Sequence, residues 1–160
     1  MSRDLHKEAQ LEDLVKESSA IVVAQKQAEK KIVYKTEFWE FELTQHEFKV
    51  IEVLGTNESI LNSPKLTKDQ TIFVYSPVEL QRRERDRLAE KGIVKSILIR
   101  NYTPSIGADG LKTQKSLILF LTSGKSSNYP RGVDLWLVSG NAFEDVKMKK
   151  KILNLLQSFW

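Results

Sequence analysis

Short runs of β-branched and aromatic residues lie between two segments of helical character, and this arrangement narrows the fold more than anything else in the chain. The runs are Ala20–Ala24, Phe38–Leu43, Phe48–Leu54, Thr71–Tyr75, Ser96–Asn101 with Lys115–Leu121, and Asp134–Val138. Such side chains fit a pleated, half-buried surface, so each run reads as a strand. Together they describe a small, closed or half-closed β-structure that presents surface rather than chemistry.

The flanks change period. Ser2 to Ser18 reads as a helix with Leu5, Leu11, Leu14 and Val15 in one narrow apolar stripe. At the other end Asn141 is placed to cap a helix from Ala142 to the terminus. In that helix Phe143, Val146, Ile152, Leu153, Leu156 and Trp160 share a side. Lys149 falls inside the apolar arc, where its stem can lie along apolar surface with the ammonium in water.

A third helix is written between strands. Ser76-Pro77-Val78-Glu79 combines a capping serine, a proline at the first helical position and a glutamate three residues after the cap. It opens a charged helix to about Lys91, closed by Gly92. Arg82, Arg83, Arg85 and Arg87 alternate with Glu79, Glu84, Asp86 and Glu90. Glu79–Arg83 and Arg82–Asp86 are therefore expected as pairs on a solvated face. The functional reading of that face is a docking helix for an acidic partner.

The segment Thr36–Leu54 is the structural centre. Trp39, Phe41 and Leu43 share one parity, and Phe48, Val50 and Leu54 share the other. Strand side chains alternate faces, so two arrangements satisfy the switch. One is a single strand with a bulge across Thr44–Glu47, a device that curves a strand into a small barrel; the other is two strands with a turn at Thr44–His46. Gln25–Lys31 reads as a polar, hairpin-like break, and Gly55–Lys68 as a loop. Ile93–Ile99 is expected to pair with Leu117–Leu121 in the centre of the structure.

The chain of 160 residues is expected to form one domain, 1–160, with an ordinary apolar content and a net charge of +4. That charge permits nucleic acid as a partner without implying it. The absence of cysteine removes disulfides, thiolate nucleophiles and iron–sulfur clusters. His6 and His46 are the two imidazoles. No run is long and apolar enough for a transmembrane helix, and residues 1–6 lack an apolar signal stretch. The expected compartment is cytoplasmic for a complete chain, and periplasmic or secreted for a mature form.

No chemical motif closes. Gly124-Lys125-Ser126 suggests a phosphate loop, but the position where its first glycine belongs is Leu119, in a strand. His46 has neighbours Glu47, Thr44 and Gln45 but no nucleophile elbow nearby in sequence. Acidic residues are scattered, without calcium-loop spacing. The expectation is no catalytic residue, no cofactor and no metal. Trp39, Phe38, Phe41, Tyr75, Tyr102, Tyr129 and Trp136, beside Lys112, Lys115 and Arg131, are the candidates for stacking single-stranded nucleic acid. Most of them fall in strands, where aromatic residues are core.

Two loops, Asn101–Thr113 and Ser123–Gly132, bracket the strand Lys115–Leu121 and lie at its opposite ends. The first is longer and carries Tyr102, Ile106 and Leu111, apolar groups with no evident core position. These three are the candidate partner contacts.

The order of elements resembles a known group. LEDLVKESSAIVV at Leu11–Val23 runs from helix into strand, and FKVIEVLG follows at Phe48–Gly55. Then come TIFVYS at Thr71–Ser76, KSLILFL at Lys115–Leu121, Asp134–Gly140 and a closing helix. This pattern resembles the netrin-like and metalloproteinase-inhibitor-like OB-type barrels, with their uncharacterised bacterial relatives. The eukaryotic inhibitors engage the protease zinc through an N-terminal cysteine, which this chain lacks, so inhibition does not carry over. The expected fold is α+β, mainly β: a small antiparallel OB-type β-barrel with N-terminal, inserted and C-terminal helices. The expected role is a non-enzymatic protein-interaction or structural module, with single-stranded nucleic-acid binding on the barrel face as the alternative.

Overall fold

A computed structural model describes residues 4–35, 40–60, 63–123 and 134–160. In chain order it comprises β1 (Asp4–Ala9), α1 (Leu11–Glu17), β2 (Ala20–Lys35), β3 (Glu40–Thr56), β4 (Thr71–Tyr75) and α2 (Pro77–Glu90). These are followed by β5 (Ile97–Tyr102), α3 (Gly110–Thr113), β6 (Ser116–Thr122), β7 (Asp134–Leu137) and β8 (Phe143–Glu144). A 3-10 turn at Val146–Met148 then leads into α4 (Lys149–Phe159).

Five strands close a barrel in the order β2-β3-β4-β7-β6, with β6 returning to β2 and β8 adding to the far edge of β6. The fold is α+β, mainly β, as expected, but the barrel is not purely antiparallel. β4 and β7 run parallel, with Val74 beside Leu135, and this pair completes the ring. The helix α2 lies in the crossover between them, because parallel neighbours need a long connection.

Strand alternation divides the apolar residues between two cores. Ala20, Val22, Ala24, Phe48, Val50, Ile72, Val74, Leu117, Leu119, Leu121, Leu135 and Leu137 are buried and follow one parity around the barrel wall. The opposite face of β2 and β6 carries Ile21, Ile118 and Phe120, in the same cluster as Leu14 and Val15 of α1 and Ile152 and Leu156 of α4. Both faces of β6 are thus covered, which is why LILFL reads as an unbroken apolar run. Each large side chain taken fully from water contributes roughly 1.5–3 kcal/mol.

The second core explains the parity switch. β3 is one strand of 17 residues, with no bulge of its own at Thr44–Glu47. His46, Phe48 and Val50 bury one face, whereas Phe41 and Leu43 bury the other. The latter join Tyr34, Tyr75, Leu80 and Trp136 in a separate cluster outside the barrel wall. The extra residues sit elsewhere: Ile51 and Leu54 on β3, and Gln27 on β2. They bend a ribbon that continues past the barrel and folds back over β4, β7 and α2.

Other expectations are corrected. Ser2–Ser18 is not one helix: Asp4–Ala9 is a strand paired in parallel with β5, and the helix begins at Leu11. Gln25–Lys31 is no break, because β2 runs unbroken to Lys35. Polar residues extend that strand since the outer face of a two-stranded ribbon faces water. Ile93 and Val94 are exposed, and β5 pairs with β1 rather than with β6. The last helix begins at Lys149, not Ala142; Phe143 belongs to β8, and Asn141 is a left-handed turn residue with φ 56°. Lys149 reaches Glu52 at 2.7 Å.

Candidate functional site

The β2–β3 ribbon, α2 and the 101–112 segment enclose a cleft of about 810 Å³. Its lining includes Glu29 and Lys31 of β2, Thr44 and His46 of β3, and Ser76, Val78, Glu79, Arg82, Arg83, Arg85 and Asp86 at and along α2. Asn101, Ala108, Leu111, Lys112, Gly140 and Asn141 complete it.

Glu79 holds two walls together. Its carboxylate accepts from the Thr44 backbone N–H and, at 2.9 Å, from the Thr44 hydroxyl. Lys31 Nζ donates to Thr44 Oγ1 at 2.6 Å and lies 3.7 Å from Glu79. The glutamate that looked like the second half of a capping box is therefore a cross-link from helix to ribbon. Ser76 is the N-cap residue, but its side chain makes no capping hydrogen bond.

His46 lies at the barrel end of the cleft, 5 % exposed. Burial pushes its pKa down, the Lys26 ammonium pushes it further, and Glu29 and Glu79 oppose. The imidazole is neutral at pH 7. Its Nδ1 faces Glu29 Oε1 at 3.1 Å without the alignment of a hydrogen bond. Glu29 is held below the usual carboxylate range first by the hydrogen bond from Lys26, whose Nζ is 2.7 Å away. The same ammonium donates to the Leu111 carbonyl at 2.7 Å and ties the third wall to the ribbon. The nearest hydroxyl in sequence, Thr44, donates to Glu79 rather than to His46.

The cations divide into two groups. Arg82 and Arg85 turn toward Asp4 at the start of β1, and Arg85 also meets Asp86 at 3.0 Å. The pairs expected along the helix, Glu79–Arg83 and Arg82–Asp86, are not formed: Glu79 is taken by Thr44 and Lys31, and Arg82 turns to Asp4, which the β1–β5 ribbon brings alongside, while Asp86 meets Arg85. Arg83 on α2 and Lys112 on α3 make no ion pair among the described residues. Both are exposed. On the floor, a Cβ on Gly140 would stand 1.8 Å from Asn101 Oδ1, so only glycine lets the Asn101 amide lie there.

The candidate contact residues occupy different places. Tyr102 ends β5, is 9 % exposed, and donates its hydroxyl to buried Glu144 at 2.6 Å. Burial, then the Glu144 hydrogen bond, pushes the phenol far above its ordinary pKa. Ile106 and Leu111 pack on the main core, and Leu111 also borders the cleft. The premise that these three lack core positions is thus corrected: the Asn101–Thr113 loop is fastened, not free. Glu144 also accepts from Ser105 N–H at 2.9 Å and Ser105 Oγ at 2.6 Å, and from Asp145 N–H at 2.9 Å.

Among the stacking candidates, Phe41, Tyr75 and Trp136 are buried in the second core. Phe38, Trp39, Tyr129 and Arg131 lie outside the described residues, as does Gly124-Lys125-Ser126. No His, Asp and Glu group of three or more suited to a metal gathers among the described residues, and no described helix is long and apolar enough to cross a membrane. The cleft itself was not legible in the sequence, except for the arginine run on α2. No protein-family model matches the chain, and no curated protein matches it in sequence.

Proposed function

We propose that the protein is a non-enzymatic protein-interaction module built on an OB-type barrel, with the charged cleft beside α2 as its recognition surface. The observation that carries this reading is the cleft's construction. Its walls are joined to one another by Glu79, Lys31 and Lys26, while Arg83 and Lys112 stand on two walls without ion pairs among the described residues. A cleft on rigid elements with spare charge supports recognition, since bound geometry is formed before the partner arrives. The barrel, the helix inserted after its third strand and the helices at both ends support the OB-type reading.

The experiment compares immobilised wild-type protein with the Arg83→Glu/Lys112→Glu variant in native extract at two salt concentrations. A protein retained by the wild type, released by salt and lost with the variant supports the module. Retention of the same proteins by both forms, or of none by either, removes the cleft from consideration. Retention of nucleic acid in place of protein favours the alternative, single-stranded nucleic-acid binding.

A further inference from the structure

Resting on that reading, we propose that the occupant of the cleft is an acidic peptide segment of a partner protein, its carboxylates taken by Arg83 and Lys112. Among the described residues, five cations line the cleft, Lys31, Arg82, Arg83, Arg85 and Lys112, against the carboxylates Glu29, Glu79 and Asp86. Lys31, Arg82 and Arg85 already face internal carboxylates. The cations of the lining without a contact ion pair among the described residues are therefore Arg83 and Lys112, the latter within electrostatic reach of Glu29. An arginine fork takes a carboxylate by two parallel hydrogen bonds, and lysine takes one as a point charge.

The lining also selects against other anions. Among the described residues its lining has no aromatic residue on which a base can stack, and stacking supplies much of the affinity for single strands. Glu29, Glu79 and Asp86 stand between the cations, so a backbone charged at every unit meets repulsion that spaced carboxylates avoid. Val78, Ala108 and Leu111 give a small apolar surface, and Asn101, held against Gly140, offers an amide that can both donate to and accept from a peptide backbone.

The test is fluorescence anisotropy with a labelled peptide of about ten residues in which Asp and Glu alternate with Gly and Ser. The comparators are its Asn/Gln counterpart, inorganic phosphate as competitor, and a thymidine single strand of similar charge. The acidic peptide is expected to bind at low salt and to weaken by at least about tenfold when salt is raised severalfold. Arg83→Glu/Lys112→Glu, verified as folded by an unchanged melting temperature, is expected to weaken it by about tenfold or more. Arg83→Lys, which keeps the charge and loses the fork, is expected to fall between the two.

Equal binding of the Asn/Gln peptide overturns the proposal, as does indifference to both charge reversals. Tighter binding of the thymidine strand also overturns it and moves the site to nucleic acid. If the acidic peptide fails while a protein is still captured through Arg83 and Lys112, this chemistry falls and the module stands.

Discussion

The indole of Trp160 occupies the space where a side chain on Gly55 would stand. A Cβ there would come 2.7 Å from Trp160 Cζ3 and 3.2 Å from Cε3. The indole N–H donates to the Val15 carbonyl of α1 at 2.9 Å, so the last residue of the chain joins α4, the end of β3 and α1. Gly55→Ala is expected to cost about 1–3 kcal/mol by overpacking. In a chain lacking Trp160 the same substitution is expected to cost much less. Urea denaturation of the two single variants and the double variant measures that coupling; additive effects would show that the contact carries no energy.

The closing helix is part of the core. Ile152 is fully buried and Leu156 nearly so. Ile152→Ala is expected to destabilise by about 2–5 kcal/mol. Truncation after Lys151 removes both side chains and Trp160, and is expected to unfold or aggregate the protein. A truncated form with an unchanged melting temperature would make α4 an appendage.

Acid is expected to act on His46 first. Its folded pKa lies below the ordinary value of 6.5. Between those two values the unfolded chain binds the proton and the folded chain does not. Stability therefore falls as pH drops below about 6.5, and stops falling from this cause once the folded pKa is passed. Glu29, with its own pKa lowered, adds a further loss only in the more acidic range where carboxylates titrate. His46→Gln is expected to flatten the melting-temperature profile between about pH 7 and pH 5 relative to wild type. Parallel profiles would rule out His46 as the cause.

Glu144 accepts four hydrogen bonds in a buried site, three of which hold the 102–105 segment and the fourth of which comes from Asp145 N–H. Tyr102→Phe removes one and is expected to cost about 1–3 kcal/mol, because a buried acceptor loses a donor. Glu144→Ala strands all four donors and is expected to cost more. Chemical denaturation gives both figures. As a separate readout, Tyr102 is expected to stay protonated in alkali beyond the point where exposed tyrosines ionise, followed by phenolate absorbance. Alanine at Tyr102 or Ile106 is accordingly expected to reduce stability, whatever it does to partner binding.

Much of the architecture is local in origin and was legible. The runs Ala20–Ala24, Thr71–Tyr75, 117–121 and 134–137 are strands because β-branched and aromatic side chains demand a pleated wall. Ser76-Pro77 and Gly92 bound α2 because their backbone preferences act within one turn, and Gly92 adopts φ 79°. Tertiary contacts decided the rest. The amphipathic look of residues 2–18 was overridden at Asp4–Ala9 by parallel pairing with β5, about ninety residues away. Polar Gln25–Lys31 became strand because Lys49 to Thr44 lay opposite, and parity at Thr44–His46 switched because a second core formed outside the barrel. The cleft belongs wholly to this second category. Glu29, His46, Glu79, Arg83 and Lys112 sit on four separate elements, and pattern in one stretch of chain carries no information about which other stretch will fold against it.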